Sequence, residues 1–249
     1  MNVTWLGHST VLIQLDGTTL ITDPVLGKWI AGLVRIAPPV APGAADGVDL
    51  VLVSHLHADH AHSASLRAVG REATVLGPPG SARWLRGRKL ANVEELGPGE
   101  ELAVGPLRVR AVPAVHEGRR HALADRSGSV GFVVHGSRSA YFAGDTDLYP
   151  EMADIASGID LDLALLPVSG WGPTLPPGHM NAERAARAAA LLHPRVAIPI
   201  HWGTLALPLK LGRPPDPERP AREFEALAAR SAPQVEVRVL APGEHTTVD

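Results

Sequence analysis

The chain has 249 residues, a formal net charge of −3 and no cysteine, and these three facts bound its chemistry before any motif is read. With 23 Lys and Arg against 26 Asp and Glu there is no basic excess for neutralising phosphates, so nucleic acid is not an expected partner. The missing thiols exclude disulfides, iron–sulfur clusters and a cysteine nucleophile, and any bound metal must be held by nitrogen and oxygen.

The length suits a single domain over 1–249. The opening "MNVTWLGHST" has neither a basic n-region nor an apolar h-region, and no apolar run is long enough to span a bilayer. A cytoplasmic protein without stable membrane insertion is therefore expected. The first elements read as a hairpin, "VTWLG" and "TVLIQL" followed by "TTLIT", with Asp16 and Gly17 as a favoured two-residue turn. Residues 24–46, rich in Pro, Gly and apolar side chains without a clean period, read as a long surface loop whose Trp29, Ile30, Leu33 and Val34 either face a substrate or cover the core. A strand "DLVLV" and a histidine-rich stretch come next. Short strands then alternate with short helical pieces: "ATVLG", "PGSARWLRGRK", "ELAVG" and "LRVRAVPAVH". A second round runs through "SVGFVVHG", "SAYFAGDT" and "LDLALLPVSGWG" to a helix "NAERAARAAALL", a strand "RVAIPIHWG", a helix "AREFEALAAR" and a last strand "VEVRVLAP". Asn181 suits the N-cap of the first of those helices and Pro194 its stop. Both halves run hairpin, strand, polar loop, helix, which predicts an α/β fold with an internal pseudo-duplication, two sheets packed between outer helices.

The stretch "VSHLHADHAH" carries four of the twelve histidines in ten positions. Such a cluster is a metal site, a pH-sensitive patch or an accident of composition. The spacing H-x-H-x-D-H, formed by His55, His57, Asp59 and His60, arises by chance in roughly one chain in seven hundred of this composition. A strand ending near Ser54 delivers these side chains at its carboxyl end, where α/β sheets build sites, and His55 and His57 project to one side of an extended segment. Two imidazoles do not complete a tetrahedral shell. Three more ligand types follow apolar strands directly: His116, Asp145 and His201, enough for two metals. His8 and Asp23 are candidates for orienting bound imidazoles or, equally, for stabilising turns. Trp171 and Trp202 flank the site in sequence, either as packing or as substrate-binding walls. No G-x-S-x-G elbow or G-x-G-x-x-G loop is present.

The set "SHLHADH", "VH", "GDT" and "IHWG" resembles the ligand signature of metallo-β-lactamase-fold hydrolases across nearly the whole chain. Within that superfamily, "WLGHSTVLI", "TDPV", "GHMNAERAA" and "PIHWGT" resemble the branch of L-ascorbate-6-phosphate lactonase and N-acyl-phosphatidylethanolamine phospholipase D. The resemblance implies a four-layer αββα sandwich. It implies that His55, His57 and His116 hold one metal, that Asp59, His60 and His201 hold a second, and that Asp145 bridges them. It also implies that His179 is an active-site histidine touching the leaving group or an anionic oxygen; a loop or capping role is the alternative. Two divalent ions about 4 Å apart share a hydroxide of pKa near 7 and polarise a carbonyl or phosphoryl oxygen, with Asp59 placed to orient that hydroxide or take its proton. Zinc is the default cofactor, with manganese or iron also suited to such donors. The expected activity is hydrolysis of an ester, lactone or phosphodiester of a small-molecule substrate. The alternatives are a non-catalytic metal-binding protein, a nuclease-type phosphodiesterase, and a di-iron redox protein, which usually carries glutamate where this chain has His57. Lys28, Arg35, Lys210 and Arg213 are the loop cations available to a phosphate-bearing substrate. The sequence sets no oligomeric state.

Overall fold

A computed structural model describes residues 1–118, 127–170, 172, 174–208 and 215–249. The first half contributes β1 (Asn2–Gly7), β2 (Thr10–Leu15), β3 (Thr18–Thr22), β4 (Trp29–Ile30), β5 (Leu33–Arg35), β6 (Leu50–Leu52), β7 (Thr74–Gly77) and β8 (Asn92–Glu95). The second contributes β9 (Glu101–Val104), β10 (Leu107–Pro113), β11 (Val130–His135), β12 (Ser139–Phe142), β13 (Leu163–Pro167), β14 (Val196–Ile200), β15 (Leu205–Ala206), β16 (Glu236–Val237) and β17 (His245–Thr247). Four α-helices accompany them, α1 (Ser63–Val69), α2 (Ala82–Arg86), α3 (Ala182–Leu192) and α4 (Arg219–Ser231), with a 3₁₀ helix at Pro150–Ala156.

Two seven-stranded sheets form, ordered β17-β1-β2-β3-β6-β7-β8 and β16-β14-β13-β12-β11-β10-β9, and β15-β5-β4 make a small third sheet. The predicted duplication is visible in the pairing. In each large sheet a meander of three antiparallel strands, β1-β2-β3 or β10-β11-β12, is continued by three parallel strands, β6-β7-β8 or β13-β14-β16. The two equivalent hairpin turns touch: Asp16, at φ 50° in the β2–β3 turn, accepts the Ser137 backbone N–H across 2.6 Å.

Alternation along the strands builds the layers. In β6, Leu50 and Leu52 enter the core between the large sheets, where they join Trp5, Ile13 and Phe132. Val51, between them, turns outward to meet Leu66 of α1 and Leu85 of α2. A strand buried on both faces reads as an unbroken apolar run, as "LVL" does. On the far side α3 and α4 cover the second sheet with Ala185, Ala189, Phe224 and Ala228. Asn181 caps α3 as expected, its side chain accepting from Arg184 N at 3.0 Å, and the helix ends at His193 in the left-handed conformation, one residue before Pro194. The expected helix–sheet–sheet–helix layering is thus present.

Two expectations need correction. Residues 24–46 are not an uninterrupted loop, because Trp29–Ile30 pair with Leu33–Val34 in a hairpin whose turn is Ala31 and Gly32, both at positive φ. The strand read as "VEVRVLAP" is shorter, with Glu236–Val237 alone pairing on β14, and it is not the last, since His245–Thr247 pairs on β1. Among the described residues no helix is long and apolar enough to cross a membrane.

Candidate metal centre

The cluster's residues mostly leave the carboxyl ends of strands: the predicted ligands His55 after β6, His116 after β10, Asp145 after β12 and His201 after β14, and the predicted supporting groups His8 after β1 and Asp23 after β3. Three of them occupy the left-handed backbone region that non-glycine residues rarely adopt, His8 at φ 53°, Asp23 at φ 31° and His201 at φ 62°. Main-chain bonds hold two of these bends. His8 N–H donates to Thr204 Oγ1 at 2.7 Å, and the His8 carbonyl accepts from Trp5 Nε1 and from His201 N, both at 2.9 Å. Gly144, at φ 60°, lets the chain turn beside Ser54; a Cβ there would stand 2.5 Å from Ser54 Cβ.

The donors fall into two groups. His55 Nε2 and His116 Nε2 lie 3.0 and 3.1 Å from His57 Nδ1. The second group is His8, Asp59, His60 and His201, with the Nε2 atoms of His60 and His201 3.1 Å apart. Asp145 lies between the groups: its Oδ2 is 3.1 Å from His60 Nε2 and 4.0 Å from His55 Nε2, and its Oδ1 is 3.2 Å from His201 Nε2. Metal–nitrogen bonds of about 2.0–2.1 Å in a tetrahedral shell put neighbouring donors about 3.3 Å apart, close to the spacings here.

Hydrogen bonds also fix which nitrogen is free in two of the rings. His201 Nδ1 faces the Ser169 carbonyl at 2.7 Å and His116 Nδ1 the Gly178 carbonyl at 2.9 Å. A carbonyl only accepts, so both Nδ1 atoms carry hydrogen and both Nε2 lone pairs face the cluster. Asp23 Oδ2 likewise accepts from His60 Nδ1 at 2.7 Å. The same carboxylate accepts from Ser54 N at 2.7 Å and Ser54 Oγ at 2.6 Å, and Ser54 Oγ sits 2.9 Å from His55 Nδ1. His179 Nδ1 is near the Pro176 and Pro177 carbonyls at 3.1 and 3.2 Å, and its Nε2 reaches Asp145 Oδ2 at 3.2 Å.

The charges respond to this crowding. Burial and the neighbouring His60 and His116 push His55 well below 6.5. Burial and His201 take His8 down to about 3, and burial takes His116 to about 4. Burial alone would lower His60, but Asp145 and Asp23 raise it well above 6.5. Burial would raise Asp145, yet the imidazoles of His201 and His60 hold it well below the usual carboxylate range. His8 Nε2 and Asp145 Oδ1 are buried and complete no hydrogen bond. Clustered nitrogen and oxygen donors, backed by carbonyls and a carboxylate, with two polar atoms left over, fit divalent metal binding.

A cavity of about 580 Å³ opens onto this cluster, lined by His57, Asp59, Asp145, His179 and His201 on the polar side. Trp202 is not in its wall. It is 5% exposed, stacks on Trp5 with ring centroids 4.6 Å apart and donates from Nε1 to the Pro199 carbonyl, so it is a packing residue. Trp171 lies outside the described residues. His62, which the ligand pattern leaves over, sits at the N-cap of α1 beside Ser65. Sequence reading missed Ser54, the link between Asp23 and His55, and the carbonyls of Ser169 and Gly178; nothing in a sequence marks a carbonyl as a partner.

Residues 18–202 match the family model of the beta-lactamase superfamily domain. A UPF0173 metal-dependent hydrolase of Methanopyrus kandleri is 36% identical over 98% of this chain and 98% of its own length. Igni18, a metallo hydrolase of Ignicoccus hospitalis, superposes with a TM-score of 0.72 at 25% identity, covering 98% of this chain and 97% of that one. CmlA, a diiron beta-hydroxylase of Streptomyces venezuelae, shares the fold, with a TM-score of 0.73 at 21% identity over 98% of this chain and 53% of its own. Matched along nearly all its length and carrying both donor groups, the chain belongs to the metallo-β-lactamase superfamily, in the UPF0173 family of metal-dependent hydrolases.

Proposed function

We propose that this chain is a dinuclear hydrolase in which His55, His57 and His116 hold one divalent ion, Asp59, His60 and His201 hold the other, and Asp145 serves both. The observation that carries the reading is the position of Asp145, whose two oxygens face His60 and His201 at 3.1 and 3.2 Å and His55 at 4.0 Å. Ions held there supply Lewis acidity toward a carbonyl or phosphoryl oxygen and bring the pKa of water to about 7. Zinc is the default choice. Asp59 orients the attacking water or takes its proton; His8 Nε2, 3.3 Å from Asp59 Oδ2, keeps that carboxylate turned inward. Burial alone would lower His179, but the hydrogen bond and charge of Asp145 together with the Pro176 and Pro177 carbonyls raise it above 6.5. Its ring, lining the cavity beside Asp145, is placed to hand a proton to a leaving oxygen. Neither role needs a serine or cysteine nucleophile. The substrate is an ester, lactone or phosphodiester of a small molecule, in keeping with the cavity of about 580 Å³.

Elemental analysis of the purified protein, paired with a screen of ester, lactone and phosphodiester substrates, tests this. Wild type is expected to retain two ions per chain. Asp59→Ala is expected to keep about one and to lose at least a hundredfold in turnover, whereas His179→Ala keeps both and loses roughly 10²–10⁴-fold. A folded sample unable to hold two ions, or an Asp59→Ala variant with full activity, sinks the reading.

A further inference from the structure

We infer, building on the hydrolase reading, that the substrate is a carboxylic ester or lactone with an aliphatic acyl chain. The cavity wall away from the donors includes Leu33, Pro176 and Leu207, beside Ala31, Ala58 and Thr174, with the buried Ile30 behind them. Ile30 and Leu33 belong to the β4–β5 hairpin and pack with Val25 and Leu205 in a small core of their own. β15 pairs on β5 through Leu205 and Ala206, which fastens that hairpin to the segment following His201. The apolar wall is thus built into the fold and does not depend on a stray side chain.

The charge inventory points the same way. Among the described residues lining the cavity there is no lysine or arginine, and its ionised groups other than histidine are Asp59 and Asp145. A phosphate arm beyond the scissile bond is usually met by arginine or lysine. Arg35, one of the cations nominated from the sequence, is engaged elsewhere. Its guanidinium donates to the carbonyls of Pro38, Val25 and Leu6, and it borders a separate cavity of about 300 Å³. Lys28 is exposed and lines neither cavity. Lys210 and Arg213 lie outside the described residues. An alkyl chain against Leu33 and Leu207, by contrast, leaves water for an apolar surface, worth about a fourfold gain in affinity per methylene.

In the reaction, the oxygen of water bonds to the acyl carbon and the acyl C–O bond breaks with its electron pair on the alcohol oxygen. That oxygen takes a proton, delivered by His179, and the proton lost by water restores the balance. The products are a carboxylic acid, which ionises, and an alcohol; a lactone yields both groups on one molecule.

The test compares p-nitrophenyl acetate, butanoate, hexanoate and octanoate with bis-p-nitrophenyl phosphate on the metal-loaded protein, and measures binding of the matching alkyl hydroxamates by calorimetry. Hydroxamate affinity and ester kcat/KM are expected to rise about fourfold per methylene, with octanoate ahead of the phosphodiester. Leu207→Ser, at a residue 40% exposed and so tolerant of change, should cut the octanoate-to-acetate ratio about tenfold, and Leu33→Ser more. A flat hydroxamate series, or a phosphodiester turned over faster than octanoate, overturns the inference while leaving metal-dependent hydrolysis standing. A rising hydroxamate series without turnover of any compound supports the apolar cavity and overturns the hydrolase reading.

Discussion

His8 shows how much a single side chain can be asked to do. Its backbone is held in a left-handed bend, its ring lies with the His201 ring at a centroid distance of 4.0 Å, and its Nε2 faces Asp59 without a completed hydrogen bond. If its task is to hold Asp59, His8→Ala should lower affinity for the second ion by about 10–100-fold, as loss of such supporting partners typically does. His8→Gln, which can still donate to the carboxylate, should recover most of that affinity. Cobalt substitution offers the readout: the visible spectrum of the second ion should weaken in the alanine variant and return in the glutamine variant. Equal spectra in all three proteins would refute the role. That these histidines and aspartates gather in one cluster was legible from the sequence, because the spacing at 55–60 is improbable by chance and the other members follow apolar strands. Trp202 misled for the opposite reason: proximity in sequence to His201 says nothing about direction, and the left-handed bend at His201 sends the next side chain to Trp5.

Among the elements, those with a strong period or a known turn were readable, and those defined by pairing alone were not. The Asp16–Gly17 turn, the doubly buried β6 and the capped α3 each carry a local signature. β8, with the burial pattern of one inward residue in four, and β17, three residues on an edge, carry almost none. The β4–β5 hairpin was hidden in a loop-like composition because strands of two and three residues are too short to display alternation. The α3 cap yields a prediction of its own. Asn181→Ala removes the acceptor for Arg184 N and should cost about 1 kcal/mol of stability, read as a fall in denaturant midpoint at unchanged m-value. Since His179 stands two residues earlier, the same variant should lose turnover only modestly; a collapse of activity equal to that of His179→Ala would mean that the cap also sets the histidine's position.

For the molecule as a whole, loading with metal is a protonation event. A ligating imidazole must be neutral. At pH 7 His8, at about 3, and His116, at about 4, are neutral already and release nothing. His60 is the opposite case: burial pulls it down, Asp145 and Asp23 lift it well above 6.5, and it holds a proton that the incoming ion must expel. Apparent metal affinity should therefore climb as pH rises above about 6.5. Calorimetry of zinc binding in two buffers of different ionisation enthalpy measures the protons set free, and a count of zero at pH 7 would contradict this charge state. The duplicated architecture explains why so many donors are available for this exchange. Each sheet ends its meander and its parallel strands at the same rim, so each half delivers donors to one seam.

Asp23 has a consequence that reaches beyond either donor group. One carboxylate grips His60 directly and His55 through Ser54, so the first cation to arrive stiffens a scaffold shared with its neighbour. Filling should then be cooperative: titration of the apoprotein should show a Hill slope above unity and few half-loaded molecules by native mass spectrometry, and Asp23→Ala should return two independent, weaker sites.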